Sequence, residues 1–268
     1  MVSLPKWALP YTPMPKSQII FMNMIESMNR KAWDAAMADS STAKTASAAN
    51  RTVMHSIINT DTLPPEERTF ERTSAEGSVL VGAGTETTGR TLALTFYHIL
   101  ADKHVLERLL AELRTVIPKS DSPLPSAAAL EKLPYLTAVV SEGTRVAHGV
   151  AGRLVRIAPD EDLQYGEYKI PRGVTFSQSP YLYHTSEKNF PDPFAFHPDR
   201  FLGEHAAQAY KYLAPFGKGS RSCVGINLAH SELYLTIAAL IAGVEMELVD
   251  TTEKDATIVR VHTENTPS

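Results

Sequence analysis

Cysteine is nearly absent from this chain: Cys223 is the only one among 268 residues. One thiol excludes an intramolecular disulfide and any zinc site built from several thiolates. Long apolar runs are missing too, since no stretch reaches the roughly 18 continuous apolar residues of a membrane span. Residues 1–15 lack a basic start followed by an apolar run, so they do not read as a secretory signal. No internal repeat is visible. Charge of one sign is not in excess either: 26 Lys and Arg stand against 30 Asp and Glu, a formal net charge of −4. The basic residues are scattered, without the stripe that tracking a phosphate backbone needs, so no nucleic-acid partner is expected.

What is present is ordinary globular material, 43% hydrophobic and 21% charged, and long enough for a sizeable core. A single domain over 1–268 is expected. Eighteen prolines cluster at 4–15, 63–65, 122–125 and 190–198, where they punctuate the elements. Helical spacing covers 16–37, with Ile20, Met24, Ile25 and Met28 on one face and the methionines read as flexible core filler. Residues 40–49, rich in Ser, Thr and Ala, fit a loop or a weak helix. A short helix is expected at 52–59, a loop at 64–67, and a long helix at 73–100, roughly 40 Å at 1.5 Å per residue. Residues 105–116 continue helically with Leu106, Leu109, Leu110 and Leu113 on one side, and Pro134 suits the first turn of a helix ending near Arg145. Short strands follow at 152–157, 164–170 and 174–177, with turns at Gly166 and 171–173. A last helix over 226–242 carries Leu228, Leu235, Ala238 and Leu240, before a small hairpin pairing 245–249 with 257–261. The fold class is mainly α with a small β portion.

The lone thiol sits in Phe216-Gly217-Lys218-Gly219-Ser220-Arg221-Ser222-Cys223-Val224-Gly225. Glycines there let backbone pass close to something flat, or adopt positive φ. Arg221 could pair with a carboxylate, and the following helix would place its N-terminus, which favours negative charge, near the sulfur. For an arbitrary lone cysteine the bland alternative is a buried structural thiol. Within the long helix, Ala83-Gly84-Thr85-Glu86-Thr87-Thr88 follows Gly82, and glycine in a helix interior costs about 1 kcal/mol relative to alanine. Either a flat group approaches the backbone there, or two helices cross on small residues. Glu142 and Arg145, three apart, are neighbours on a helix face; on a surface such a pair contributes only a few tenths of a kcal/mol.

The pattern Phe-x-x-Gly-x-Arg-x-Cys-x-Gly resembles the haem-binding loop of the cytochrome P450 monooxygenases, whose proximal ligand is a cysteine thiolate. The other segments resemble family signatures in the family's order. The resemblance implies haem b, iron protoporphyrin IX, held by Cys223 as the metal ligand, with Phe216, Gly217, Arg221, Gly225 and Ala83 around the cofactor. Arg156 resembles the strand arginine that binds a haem propionate; its alternative is an edge-strand charge facing water. Glu86 and Thr87 resemble the distal acid and hydroxyl that deliver protons to bound oxygen. Glu142, Arg145 and Arg200 resemble a buried scaffolding triad. His148, His184 and His230 read as polar histidines, not iron ligands, because the thiolate and O₂ take the two axial positions.

The resemblance further implies O₂, electrons from NADPH through NADPH-cytochrome P450 reductase, and a lipophilic small-molecule substrate. Gly82, Ala83, Val150 and Ala151 would line its pocket. Lys211, Lys218 and Arg221 would give the cysteine face a basic character that attracts an acidic flavoprotein. Residues 133–136 and 157–159 are most similar to fungal microsomal members of the trichodiene oxygenase-like group, many of which oxidise terpenoid or polyketide intermediates. Placement at the endoplasmic reticulum membrane follows by the same resemblance, although this chain shows no anchor. The match covers the carboxy-terminal half of the family fold, so a partial domain is expected. The alternatives are a truncated, inactive fragment without haem, and a haem-thiolate isomerase or dehydratase; retention of Glu86 and Thr87 argues against the latter.

Overall fold

The computed structural model describes residues 16–39, 52–261 and 265–267. The expectations for 1–15 and for 40–49 lie outside the described residues. The chain divides into two compact units, 1–85 and 86–268, with the boundary inside one long helix.

In the first unit, α1 (Lys16–Asp39) and α2 (Val53–Ile58) accompany the start of α3 (Phe70–Ala101). Thr52 caps α2 by accepting the His55 N–H at 3.1 Å. Such a cap satisfies one of the four orphan donors at a helix start. Buried Asn29 of α1 donates to the Ser74 carbonyl at 3.0 Å and to Ser78 Oγ at 3.1 Å. This close approach needs Gly77, where a Cβ would stand 2.5 Å from Asn29 Oδ1 and 2.7 Å from Met54 Cε. Arg30 lies over the Phe70 ring and Trp33 meets the same ring edge-on at 5.7 Å.

The expected apolar face of α1 is corrected here. Only Ile25 is buried; Ile20 is 68% exposed, and Met24 and Met28 are exposed too, so these methionines fill no core among the described residues. Helical spacing fixes which residues share a face but not whether anything covers that face. The expected loop at 64–67 is a 3₁₀ turn, Pro65–Glu67, with proline in its opening position.

The second unit is built on the remainder of α3, whose 32 residues span about 48 Å. Next come α4 (Lys103–Leu113), α5 (Ala127–Leu130) and α6 (Pro134–Ala147). Leu109 and Leu113 of α4, Leu130, Leu136, Val139, and Leu233 and Ile237 further on form one core with Ile99. Each fully buried aliphatic side chain contributes about 1.5–3 kcal/mol relative to exposure. Pro134 occupies the first turn of α6, as its spacing predicts. The Glu112 carboxylate of α4 accepts the next two amides of α6, from Tyr135 at 2.9 Å and Leu136 at 2.8 Å. Gly143 of α6 faces Thr95 so closely that a Cβ would collide with Thr95 Oγ1.

The strands are short and antiparallel. β1 (Leu154–Ile157) pairs with β4 (Thr175–Gln178), placing Arg156 opposite Phe176, while β2 (Leu163–Tyr165) pairs with β3 (Tyr168–Ile170). The stretch 164–170 is thus two strands, folded back at the turn expected at Gly166, whose φ is +57°. α7 (Pro180–His184) and α8 (Ala206–Tyr212) were not anticipated, and neither was α5; four to seven residues show too little periodicity to register.

α9 (Ile226–Gly243) matches the expected helix, but its buried face is Leu233, Tyr234, Ile237, Ala238, Ile241 and Ala242. Leu228, one of the apolar residues along this helix, is 61% exposed. Among the described residues α9 alone is long and apolar enough to cross a membrane, and its buried face belongs to the core. After α10 (Glu253–Ala256), the last hairpin joins β5 (Ile258–Val261) to β6 (Asn265–Pro267). Residues 245–249 form no strand, correcting the expected partner of 257–261.

Candidate functional site

The loop of Cys223 is shaped by its own backbone. Gly217 N–H donates to the Ala214 carbonyl at 3.2 Å, Ser222 N–H to Gly219 at 3.1 Å, and Cys223 N–H to Phe216 at 2.9 Å. Gly217 and Gly219 hold φ of +70° and +83°, a left-handed region that disfavours any residue with a Cβ. Cys223 is exposed, which replaces the bland alternative of a buried structural thiol. Beside it Val224 is 91% exposed, and α9 starts three residues later behind Gly225. A Cβ on Gly225 would stand 3.9 Å from Cys223 Sγ, so glycine keeps that flank of the sulfur open. Arg221 is exposed, and Phe216 meets His230 edge-on at 5.1 Å. Phe216, Gly217, Ile226 and His230 also line a cavity of about 280 Å³ behind the loop, together with Ser141 and Tyr234.

Beneath this loop lies a closed ionic network. Arg145 and Glu142 have side chains 0% exposed, with Nε to Oε2 at 2.7 Å and Nη2 to Oε1 at 2.8 Å. Arg200 Nε adds a third bond to Oε1 at 3.0 Å, and the His197 N–H a fourth at 2.8 Å. Arg145 also donates to the carbonyls of His184, Pro193 and Ala195. The three charged residues expected together are therefore together. A bidentate arginine–carboxylate fork with its remaining hydrogens satisfied is the geometry that makes burying charge tolerable.

The distal candidates lie on α3. Glu86 is exposed and Thr87 half-buried, while the Thr87 carbonyl accepts from Thr91 Oγ1 at 2.9 Å. Ala83 is exposed, and a Cβ added at Gly82, Gly84 or Gly89 would meet nothing within 4 Å. Among the described residues no other helix crosses at these glycines. Arg156 is exposed on β1, its Nη1 donating to the Val155 carbonyl at 2.9 Å. Lys211, Lys218 and Arg221 are all exposed, and Lys218 Nζ donates to the Lys211 carbonyl at 2.7 Å.

Buried imidazoles are the feature the sequence did not disclose. His184 is fully buried and His148 nearly so, with ring centroids 6.1 Å apart. His148, at φ +59°, closes α6. Burial, then His184 and Arg145, pushes His148 down to about 3; burial and Arg145 push His184 down to about 4. His98, stacked 4.8 Å over Phe196, is lowered to about 4 chiefly by burial. His230 is half-buried and lowered for the same reason. No local signal marks His184, because its partners Arg145 and Ala214 lie 39 and 30 residues away.

Known proteins resemble this chain in sequence. The chain is 48% identical over 97% of its length to the cytochrome P450 monooxygenase ucsK of Acremonium sp, covering 52% of that protein. It is 39% identical to TRI4 of Trichoderma arundinaceum over 89% of this chain and 46% of the relative. It is 41% identical to pbrB of Penicillium brasilianum over 78% of this chain and 41% of the relative. Both are likewise named cytochrome P450 monooxygenases. The chain thus spans about half the length of the curated relatives it matches. The cytochrome P450 family model covers residues 9–264, and the chain belongs to the cytochrome P450 family.

Proposed function

We propose that this chain supplies the haem-thiolate portion of a monooxygenase that inserts one oxygen atom from O₂ into a lipophilic small molecule. The observation that carries the reading is the exposed Cys223 thiol on a glycine-shaped loop, with an open flank at Gly225 and an N-terminal helix end directly behind. The residues fit haem: a single soft donor is presented outward on a loop that Gly217 and Gly219 shape through positive φ. Haem, when bound, would supply the binding and reductive activation of O₂.

The chain's own residues do the rest. Cys223 Sγ is the ligand, with Phe216, Gly217 and Gly225 fixing its loop. Arg221 and Arg156 supply two cations for two propionates. Ala83 and its neighbouring glycines allow a flat group to lie against α3. Glu86, exposed to solvent, takes up protons, and the Thr87 hydroxyl passes them toward the reacting oxygen. Residues 1–268 are read as one partial domain. Electrons would come from NADPH through a reductase attracted to Lys211, Lys218 and Arg221. Membership of the cytochrome P450 family and the fungal sources of its relatives support a fungal metabolite as substrate and a membrane-associated setting.

The test is to purify the chain from a host supplied with haem precursor and record the ferrous carbon monoxide difference spectrum. One haem per chain with the band of thiolate ligation is expected, lost in Cys223→Ser. Haem retained with an unchanged spectrum in Cys223→Ser, or no haem in the parent, overturns the reading.

A further inference from the structure

His184 joins two parts of the molecule that neither motif connects. Its backbone carbonyl accepts Arg145 Nη1 at 3.1 Å, so the main chain at 184 is fastened to the buried ionic network. Its ring Nε2 accepts the Ala214 N–H at 3.1 Å. From Ala214 the bonding continues: the Ala214 carbonyl accepts from Gly217, and the Phe216 carbonyl accepts from Cys223. Hydrogen bonds, joined through the covalent frames of His184 and Ala214, therefore link Arg145 to the amide of the cysteine. Resting on the haem-thiolate reading above, we propose that His184 is a positioning residue, which sets where the chain enters the Cys223 loop by holding the Ala214 amide.

The chemistry of the imidazole supports this role. An Nε2 that accepts must be unprotonated, so in the neutral ring the proton sits on Nδ1. That Nδ1 has no hydrogen-bond partner among the described residues although the side chain is fully buried. A leucine would remove this orphaned donor, and would forfeit only the acceptor for Ala214. The ring is packed by Phe190, edge-on at 5.9 Å, and by His148, so it has no freedom to offer another atom. Burial and the Arg145 charge keep it neutral, and hence an acceptor, across the physiological range.

Three variants separate acceptor position from bulk and polarity. Glutamine can place an amide oxygen where Nε2 stood, asparagine reaches only the Nδ1 position, and leucine offers no acceptor. In the haem-free chain, hydrogen exchange of the Ala214 amide should accelerate about tenfold in His184→Leu and His184→Asn, and stay near the parent rate in His184→Gln. In the haem-loaded chain, the same two variants should shift the carbon monoxide band from the thiolate form toward the neutral-thiol form, with His184→Gln restoring it. Equal exchange and equal band ratios in the Asn and Gln variants would overturn the proposal, even if His184→Leu fails to fold. A parent chain that takes up no haem but shows the predicted exchange pattern would remove the haem-thiolate reading and leave the His184–Ala214 link standing.

Discussion

Around Glu142 both carboxylate oxygens and all three nitrogens of Arg145 are bonded by protein, whereas around Cys223 the thiol faces outward and the turns of the loop are held chiefly by backbone bonds. The first region is complete in itself. The second is open, with an exposed sulfur on glycine-shaped backbone, as the proposed haem site requires. Perturbing the enclosed region should therefore register as lost stability, and perturbing the open one as lost ligand.

Acid is the broadest way to break the enclosed region. His98, His148 and His184 are held neutral, with values near 3 to 4 against an ordinary 6.5. The unfolded chain binds their protons first, so their contribution is intact above pH 6.5 and is lost as pH falls from there toward 4. Each group adds a slope of up to about 1.4 kcal/mol per pH unit in that window. Urea titrations at pH 7 and pH 5 should show the midpoint dropping; an unchanged midpoint would mean the three rings are not buried.

Removing Arg145 is next in size. Arg145→Leu leaves the Glu142 carboxylate with only Arg200 and one amide, and should cost about 3–5 kcal/mol in chemical denaturation. Gly143→Ala forces its methyl group against Thr95 and should cost about 1–3 kcal/mol, with much of the loss recovered when Thr95→Ala is combined with it. Elsewhere, on α3, the sign reverses. Gly82→Ala meets no neighbour among the described residues and should stabilise the haem-free chain by up to about 1 kcal/mol through helix propensity. A loss of melting temperature in Gly82→Ala would show that this stretch is packed.

How much of this could be read from the chain alone varied with what carried the signal. The boundaries of α3, α6 and α9 follow from spacing, Pro134 and the glycine at 225. The Glu142–Arg145 pair is visible as a spacing, but its burial is set by carbonyls at 184, 193 and 195 that close over it. The exposure of Ile20, Met24 and Met28 stayed hidden because amphipathic spacing does not reveal which faces are covered. Gly143 and His184 stayed hidden for a different reason. Each acts on a residue 30 or more positions away, and nothing in the adjacent sequence announces such a partner.

Pro134 opens α6, but its cap is borrowed: Leu133, the N-cap, makes no side-chain bond, and the acceptor for the amides of Tyr135 and Leu136 comes from Glu112 of α4. The first turn of the helix that carries Glu142 and Arg145 therefore has its orphan donors satisfied only with α4 packed against it. A synthetic peptide of residues 134–147 should show little helix by circular dichroism. One carboxylate thus couples the stability of α4 to that of the helix bearing the arginine fork.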